Sequence, residues 1–312
     1  MKTALARFRS LVRTVVPTLL AASLLSGCSS VKPAMYNSPE EATQSLVAAL
    51  RESDRDKLRA VIGSEGEEIL SSGDDVADKN ALERFLASYD ARHEFETPED
   101  GVTTLVVGTD RWPMPVPIVR ENGKWFFDTE AGKEEILNRR IGQNELEVIE
   151  VCKAIVDAQL EYAEYDPDHD GVHEYARRFI SDEHLKNGLY WPVREGEPES
   201  PLGELAAEAA GEGYSTGDAP KPFHGYFYRI LTTQGPNAAG GARDYIMKNY
   251  MIGGFGVVAY PAEYGSSGVM TFITNQDGVI YQKDLGANTS AAAKTMKAFD
   301  PGPGWSRVDG GH

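Results

Sequence analysis

Asp166-Pro167-Asp168-His169-Asp170-Gly171 carries carboxylates at alternate positions with a glycine behind them. Oxygen ligands at the first, third and fifth places of a loop, with glycine at the sixth to turn the chain, suit a hard cation such as calcium. A bidentate acid is expected at the twelfth place, where Arg177 stands; Glu174, at the ninth, is the substitute at hand. The candidate calcium set is therefore Asp166, Asp168, Asp170 and Glu174. The same residues also describe an Asp-rich turn that ends a helix, with carboxylates satisfying local backbone N–H groups. His169 and His173 are four apart and suit a transition metal only if one helix aligns them, and the Asp/Gly turn breaks that helix.

Other reactive residue types stand apart in sequence. His93, His184 and His224 are isolated, and each is a candidate general base only if folding supplies partners. The pair a hydrolase would use is His224 with Glu263. Gly265-Ser266-Ser267-Gly268 lacks the spacing of a nucleophile elbow. Gly253-Gly254-Phe255-Gly256 opens a strand, whereas a phosphate cradle needs a helix N-terminus behind the glycines. Tyr226, Phe227, Tyr228, Tyr260, Tyr264 and Phe272 offer ring faces on which a sugar could stack, or they form a sheet core. His224, Glu263 and Tyr264 are thus the candidate ligand-facing residues. Cys152 lies on a helix face with Val148, Val151, Ile155, Ala158 and Tyr162, at spacings of three and four, so it is a small buried hydrophobe rather than a nucleophile.

The elements that position these residues fall into two groups. Ser38-Pro39-Glu40-Glu41 starts a helix, with Ser38 as cap, Pro39 at the first position and Glu41 closing a capping box. A second helix starts at Ser53, and a third covers about residues 80–92. β-Branched residues follow at 103–107. Residues 114–120 and 125–128 then form a hairpin around Asn122-Gly123. Pro113, Pro115 and Pro117 argue that its first strand is an edge. Helices followed by a curled antiparallel sheet resemble a cystatin or nuclear-transport-factor-like roll. A helix over 144–165 opens the second group. Residues 187–222 are rich in Gly, Pro, Glu and Ser, with one short helix at 204–210. Strands follow at 223–231, 255–260, 269–274 and 279–283, the last two joined by a turn ending in Asp277-Gly278. A final helix covers 290–299. The fold class is α+β, with an N-terminal α+β domain over 38–140 and a C-terminal one over 144–308, divided at an exposed Arg139–Gln143 segment. A long helix, an Asp/Gly loop and an antiparallel sheet are similar to the headpiece of type IV pilins and pseudopilins. There is no prepilin cleavage site, so a filament subunit is not expected.

The first 27 residues differ in kind. Lys2, Arg7, Arg9 and Arg13 precede a short apolar run over 15–25, too short to span a bilayer. Leu25-Ser26-Gly27-Cys28 follows and resembles a bacterial lipobox, which implies a signal peptide over 1–27, lipidation of Cys28 and a tether over 28–37. Removing four cations takes the formal charge of −17 to −21. Such a chain has no attraction for nucleic-acid phosphates, and the anionic lipid surface repels it. Membrane attachment must then rest on acyl chains. By resemblance to enterobacterial lipoproteins, Ser29 after the cysteine implies an outer-membrane site facing the periplasm rather than the inner membrane. With Cys28 modified, Cys152 is the one remaining thiol, which excludes an intramolecular disulfide and a thiolate zinc site.

The mature chain as a whole resembles the bacterial family of domain of unknown function 2950. The stretches that carry this are residues 38–49, Ser71-Ser72-Gly73-Asp74, 105–120, 139–150, Gly188-Leu189-Tyr190-Trp191-Pro192, 224–235 and 251–285. The resemblance implies an exported bacterial protein and brings no activity with it. The function expected is a non-catalytic binding or assembly module of the cell envelope, with an envelope protein or a glycan as partner; the alternative is a periplasmic hydrolase using His224 and Glu263.

Overall fold

A computed structural model describes residues 31–64, 66, 71–167, 169, 171–194, 196–212 and 221–308. Cys28 and the signal segment, together with Asp168 and Asp170, lie outside the described residues. The chain is mixed α+β, with several antiparallel sheets.

The first group opens with α1 (Pro39–Glu52) and α2 (Arg55–Ile62). Ser38 Oγ accepts from Glu41 N at 3.2 Å, as the cap requires. The Glu41 carboxylate reaches one residue further back than a capping box predicts, to the backbone and side-chain N–H groups of Asn37, both at 2.8 Å. Asp54, not Ser53, caps α2; Ser53 closes α1 in the left-handed region. α3 (Asp75–Ala91) begins earlier than expected because Asp74 caps it, accepting from Val76 N and Ala77 N. A five-stranded antiparallel sheet follows: β1 (His93–Glu99), β2 (Val102–Val107), β3 (Trp112–Pro113), β4 (Ile118–Glu121) and β5 (Lys124–Phe127). Its order is β1-β2-β4-β5, with β3 on β2. The Asn122-Gly123 hairpin turn has both residues at positive φ, the geometry that matches strand twist. The prolines interrupt the strand expected over 114–120, because each removes a ladder donor; β4 begins beyond them and lies inside the sheet between β2 and β5, not at the edge they suggested. The expected tether is partly built in. Ala34 N donates to Ala60 O, Tyr36 pairs with Trp125, and Val31 O accepts from Ser64 N. Leu46, Leu50, Leu58, Ile62, Val116, Ile118 and Phe127 form the core between these helices and the sheet.

α4 (Thr129–Tyr165) has 37 residues, about 55 Å at 1.5 Å per residue. It starts at Thr129, not near 144, and runs through 139–143, where the sequence suggests a break. A single glycine, Gly142, costs a helix only about 1 kcal/mol relative to alanine. Arg139 anchors this stretch by donating to Pro113 O at 3.0 Å, and Arg140 by donating to Ser71 O at 3.1 Å. The C-terminal half of α4 packs on a second five-stranded sheet. Its strands are β6 (Tyr226–Leu231), β11 (Gly256–Pro261), β12 (Met270–Asn275), β13 (Tyr281–Asp284) and β15 (Ser306–Arg307), in the order β15-β13-β12-β11-β6. Val148 and Cys152 meet Tyr226, Ala259 and Phe272 on one face. Val258, Tyr260 and Ile273 meet Ala293 and Phe299 on the other, so alternate β11 residues serve opposite layers. Both faces being covered, all of β11 is buried. α5 (Gly203–Gly211) lies in the chain between α4 and β6, and short pairings lie between β6 and β11: β7 (Thr233–Gln234), β8 (Arg243–Asp244), β9 (Ile246–Met247) and β10 (Tyr250–Met251). The last helix, α6 (Thr289–Thr295), ends early, and β14 (Ala298–Phe299) then pairs with β7. Among the described residues no helix is long and apolar enough to cross a membrane.

Candidate functional site

α3 is the element that leaves a gap. Leu82, Phe85, Leu86 and Tyr89 mark its apolar side, yet none of its residues is fully buried. Between it and the α1–α2–sheet core lies a groove of about 890 Å³. Its floor is apolar: Leu46 and Leu50 from α1, Leu58 and Ile62 from α2, with Met114 and Val116 from the chain before β4. Leu82 and Phe85 face them from α3. Trp112 closes one side, 38% exposed, with the Arg139 guanidinium 5.3 Å above its ring.

Charge in the groove runs against that of the chain. Six Lys or Arg residues against four Asp or Glu line it, in a chain of formal charge −17. Arg55 and Arg84 are exposed there and make no ion pair or hydrogen bond among the described residues.

One end of the groove is a partly buried polar junction built from Ser71-Ser72-Gly73-Asp74, of which Ser72 and Asp74 are buried. Asp74 Oδ1 caps α3, while its Oδ2 accepts from Gly225 N at 3.0 Å. Ser72 N donates to Asp78 Oδ2 at 2.9 Å, and Arg140 donates to Ser71 O and to Ser266 Oγ. Burial pushes the Asp78 carboxyl above its ordinary range, with the Ser72 N–H and the Arg140 charge pulling it back. Burial lowers Arg140, opposed by Asp78 and Glu263. Gly225 sits at φ +72°, and a Cβ there would lie 2.6 Å from Asn144 Nδ2, so the junction needs glycine on both counts. Behind it, Glu145 Oε1 accepts from Val269 N and Met270 N, both at 2.9 Å, which ties α4 to β12.

His224 lies in the groove wall. Phe223 packs on its ring with centroids 4.0 Å apart, and Glu212 Oε2 is 3.9 Å from Nε2, beyond hydrogen-bond length. Glu263 packs against Gly73 in the junction, where its charge supports Arg140. The Tyr264 hydroxyl, in the loop between β11 and β12, donates at 3.2 Å to Asp284 Oδ2 at the end of β13. The three candidate ligand-facing residues therefore do not share one wall. Asp166 ends α4 in the left-handed region, and its Oδ2 accepts from Gly171 N at 3.1 Å. The Glu174 carboxylate accepts from Met251 N at 3.0 Å and so holds β10. His173 Nδ1 bonds Ala163 O at 2.7 Å. Among the described residues no three His, Cys, Asp or Glu side chains gather as a metal site, and Asp168 and Asp170 fall outside that set. Cys152 is fully buried, and burial pushes its thiol up to about 12.

The groove was not foreseen from the sequence. Its signals were present in the narrow apolar stripe of α3 and in two arginines that line the groove, Arg55 from α2 and Arg84 from α3 itself. Their convergence depends on helix packing and not on spacing. No curated protein and no solved structure matches the chain. A model of the protein family of unknown function DUF2950 matches residues 33–308, nearly the whole chain, and the chain belongs to that family.

Proposed function

We propose that the chain is a non-catalytic binding module of the bacterial cell envelope, anchored through acyl chains on Cys28 and facing the periplasm. The anchor rests on the signal-like order of a basic segment, an apolar run and Leu25-Ser26-Gly27-Cys28. The observation that carries the binding role is the groove of about 890 Å³ with an apolar floor and cationic rim. That volume lies within the range of small-molecule sites. The polar groups at its junction end serve the fold. Asp74, Ser72, Asp78 and Arg140 are bonded to backbone groups or to one another, and that role accounts for their burial.

The binding role is tested with the soluble mature chain and anilinonaphthalene sulfonate, an apolar fluorophore with one negative charge. Saturable binding at one site is expected, and Ala81→Trp, which fills the groove wall, abolishes it. Binding unchanged in Ala81→Trp, or absent from the unmutated chain, contradicts the proposal. The anchor is tested separately: labelled palmitate enters the wild type and not Cys28→Ala, and label on the variant refutes the assignment.

A further inference from the structure

We infer that the groove's ligand is a single-chain anionic amphiphile, an acyl chain bearing a carboxylate or phosphate head, drawn from the membrane to which the chain is anchored. This rests on the binding-module reading above and adds the ligand's class and source. Three independent features point to it.

The first is the division of the walls. Leu50, Leu58, Leu82 and Phe85 offer an apolar surface from three different helices, which suits a flexible hydrocarbon chain better than a polar or planar ligand. Along α3 the groove wall runs from Asp75 to Phe85, about 15 Å at 1.5 Å per residue, long enough to seat an extended chain. A groove of about 890 Å³ is of a size for one such chain and its head.

The second is charge. Arg55 and Arg84 face the groove with no ion pair or hydrogen bond among the described residues. A strongly acidic chain has carboxylates in excess with which to pair its arginines, yet among the described residues these two have no carboxylate partner beside an apolar floor. A guanidinium pairs with a carboxylate or phosphate through two parallel N–H donors, and the low dielectric beside the apolar floor strengthens that pairing. A cationic or neutral head would gain nothing from either residue.

The third is reach. Val31 O is already fixed to Ser64 N at 3.0 Å, directly after α2. Only three residue steps separate Val31 from Cys28, at most about 10 Å of extended chain. α2 itself supplies Arg55, Leu58 and Ile62 to the groove. An acyl group on Cys28 would therefore hold this helix near the lipid headgroups, where single-chain amphiphiles are concentrated. Excess negative charge elsewhere keeps the remaining surface off an anionic bilayer.

The experiment titrates the soluble mature chain with laurate, lysophosphatidylglycerol, dodecyl maltoside and dodecyltrimethylammonium, all below micelle formation. Trp112 fluorescence is the readout, with Trp112→Phe as control. Saturable binding of laurate, of lysophosphatidylglycerol or of both is expected, and whichever binds identifies the source as free fatty acid or lysophospholipid. The cationic and neutral chains should bind at least about tenfold more weakly, a difference of about 1.4 kcal/mol. The double variant Arg55→Glu/Arg84→Glu should erase that preference without lowering the melting temperature, since both side chains are exposed. Equal binding of all four amphiphiles, or a preference untouched by charge reversal, overturns the ligand class and leaves the binding module standing. Binding of none of them overturns both.

Discussion

Asp74 and Gly225, 151 residues apart in sequence, are joined by a hydrogen bond of 3.0 Å from the Gly225 N–H to the Asp74 carboxylate. The same carboxylate caps α3 through its other oxygen. One side chain thus fixes both the start of the helix that walls the groove and the entry to the second sheet at β6.

Asp74→Ala should therefore cost about 2–4 kcal/mol. A lost N-cap accounts for about 1 kcal/mol, and a buried N–H left without an acceptor for about 1–3 kcal/mol. Asp74→Asn retains a side-chain acceptor and should cost clearly less. Urea melts of the soluble chain measure both; an Ala variant within 0.5 kcal/mol of wild type, on the order of a neutral surface change, would contradict the role.

Gly142→Ala should stabilise the chain by about 0.5–1 kcal/mol, because alanine favours a helix interior and a Cβ at 142 meets nothing within 4 Å. Were residues 139–143 a linker between two domains, the substitution would leave the urea midpoint where it was. The test thus separates one continuous helix from two segments.

Acidification should favour Asp78. A carboxyl raised by burial is one whose protonated form the fold prefers. Its contribution is complete below the unfolded carboxylate value and is lost as pH rises through the higher folded value. Asp78→Asn cannot ionise. The stability of wild type relative to this variant should therefore increase as pH falls from about 7 to about 4, across the ordinary carboxylate range. A difference that stays constant, or shifts toward the variant, would show that burial does not govern this carboxyl.

The Cys152 thiol, held at about 12 and fully buried, is protonated at any physiological pH. Only the thiolate attacks disulfides and alkylating agents. In the Cys28→Ala soluble chain, Ellman's reagent should find no thiol at pH 8 until denaturant is added, and then one per chain. Reaction of the folded chain at the rate of a free thiol would mean that the α4–sheet contact opens readily.

What the sequence made legible was local. The Asn122-Gly123 hairpin, the three strands between 255 and 284 and the buried face around Cys152 each follow from turn chemistry or from side-chain periodicity within a few residues. The start of α4 was not legible, because the Arg139–Gln143 segment carries no apolar face of its own and its anchors, Pro113 O and Ser71 O, are distant in sequence. Pro113, Pro115 and Pro117 suggested an edge strand over 114–120, whereas β4 starts only at Ile118, beyond them, and lies inside the sheet. The groove was illegible for a deeper reason. It is space left between α3 and its neighbours, and no spacing rule marks a face that packs incompletely. Asp74 stood out only as part of a short motif; its partner Gly225 becomes visible once the two halves are assembled.

Native mass spectrometry of the protein purified from its own envelope in a gentle detergent tests the groove as a ligand site most directly. The account predicts one non-covalent adduct per chain, with the mass of a single-chain amphiphile, present on the wild type and absent from Ala81→Trp. A wild-type chain that carries no such adduct, or an adduct retained equally by Ala81→Trp, would contradict it.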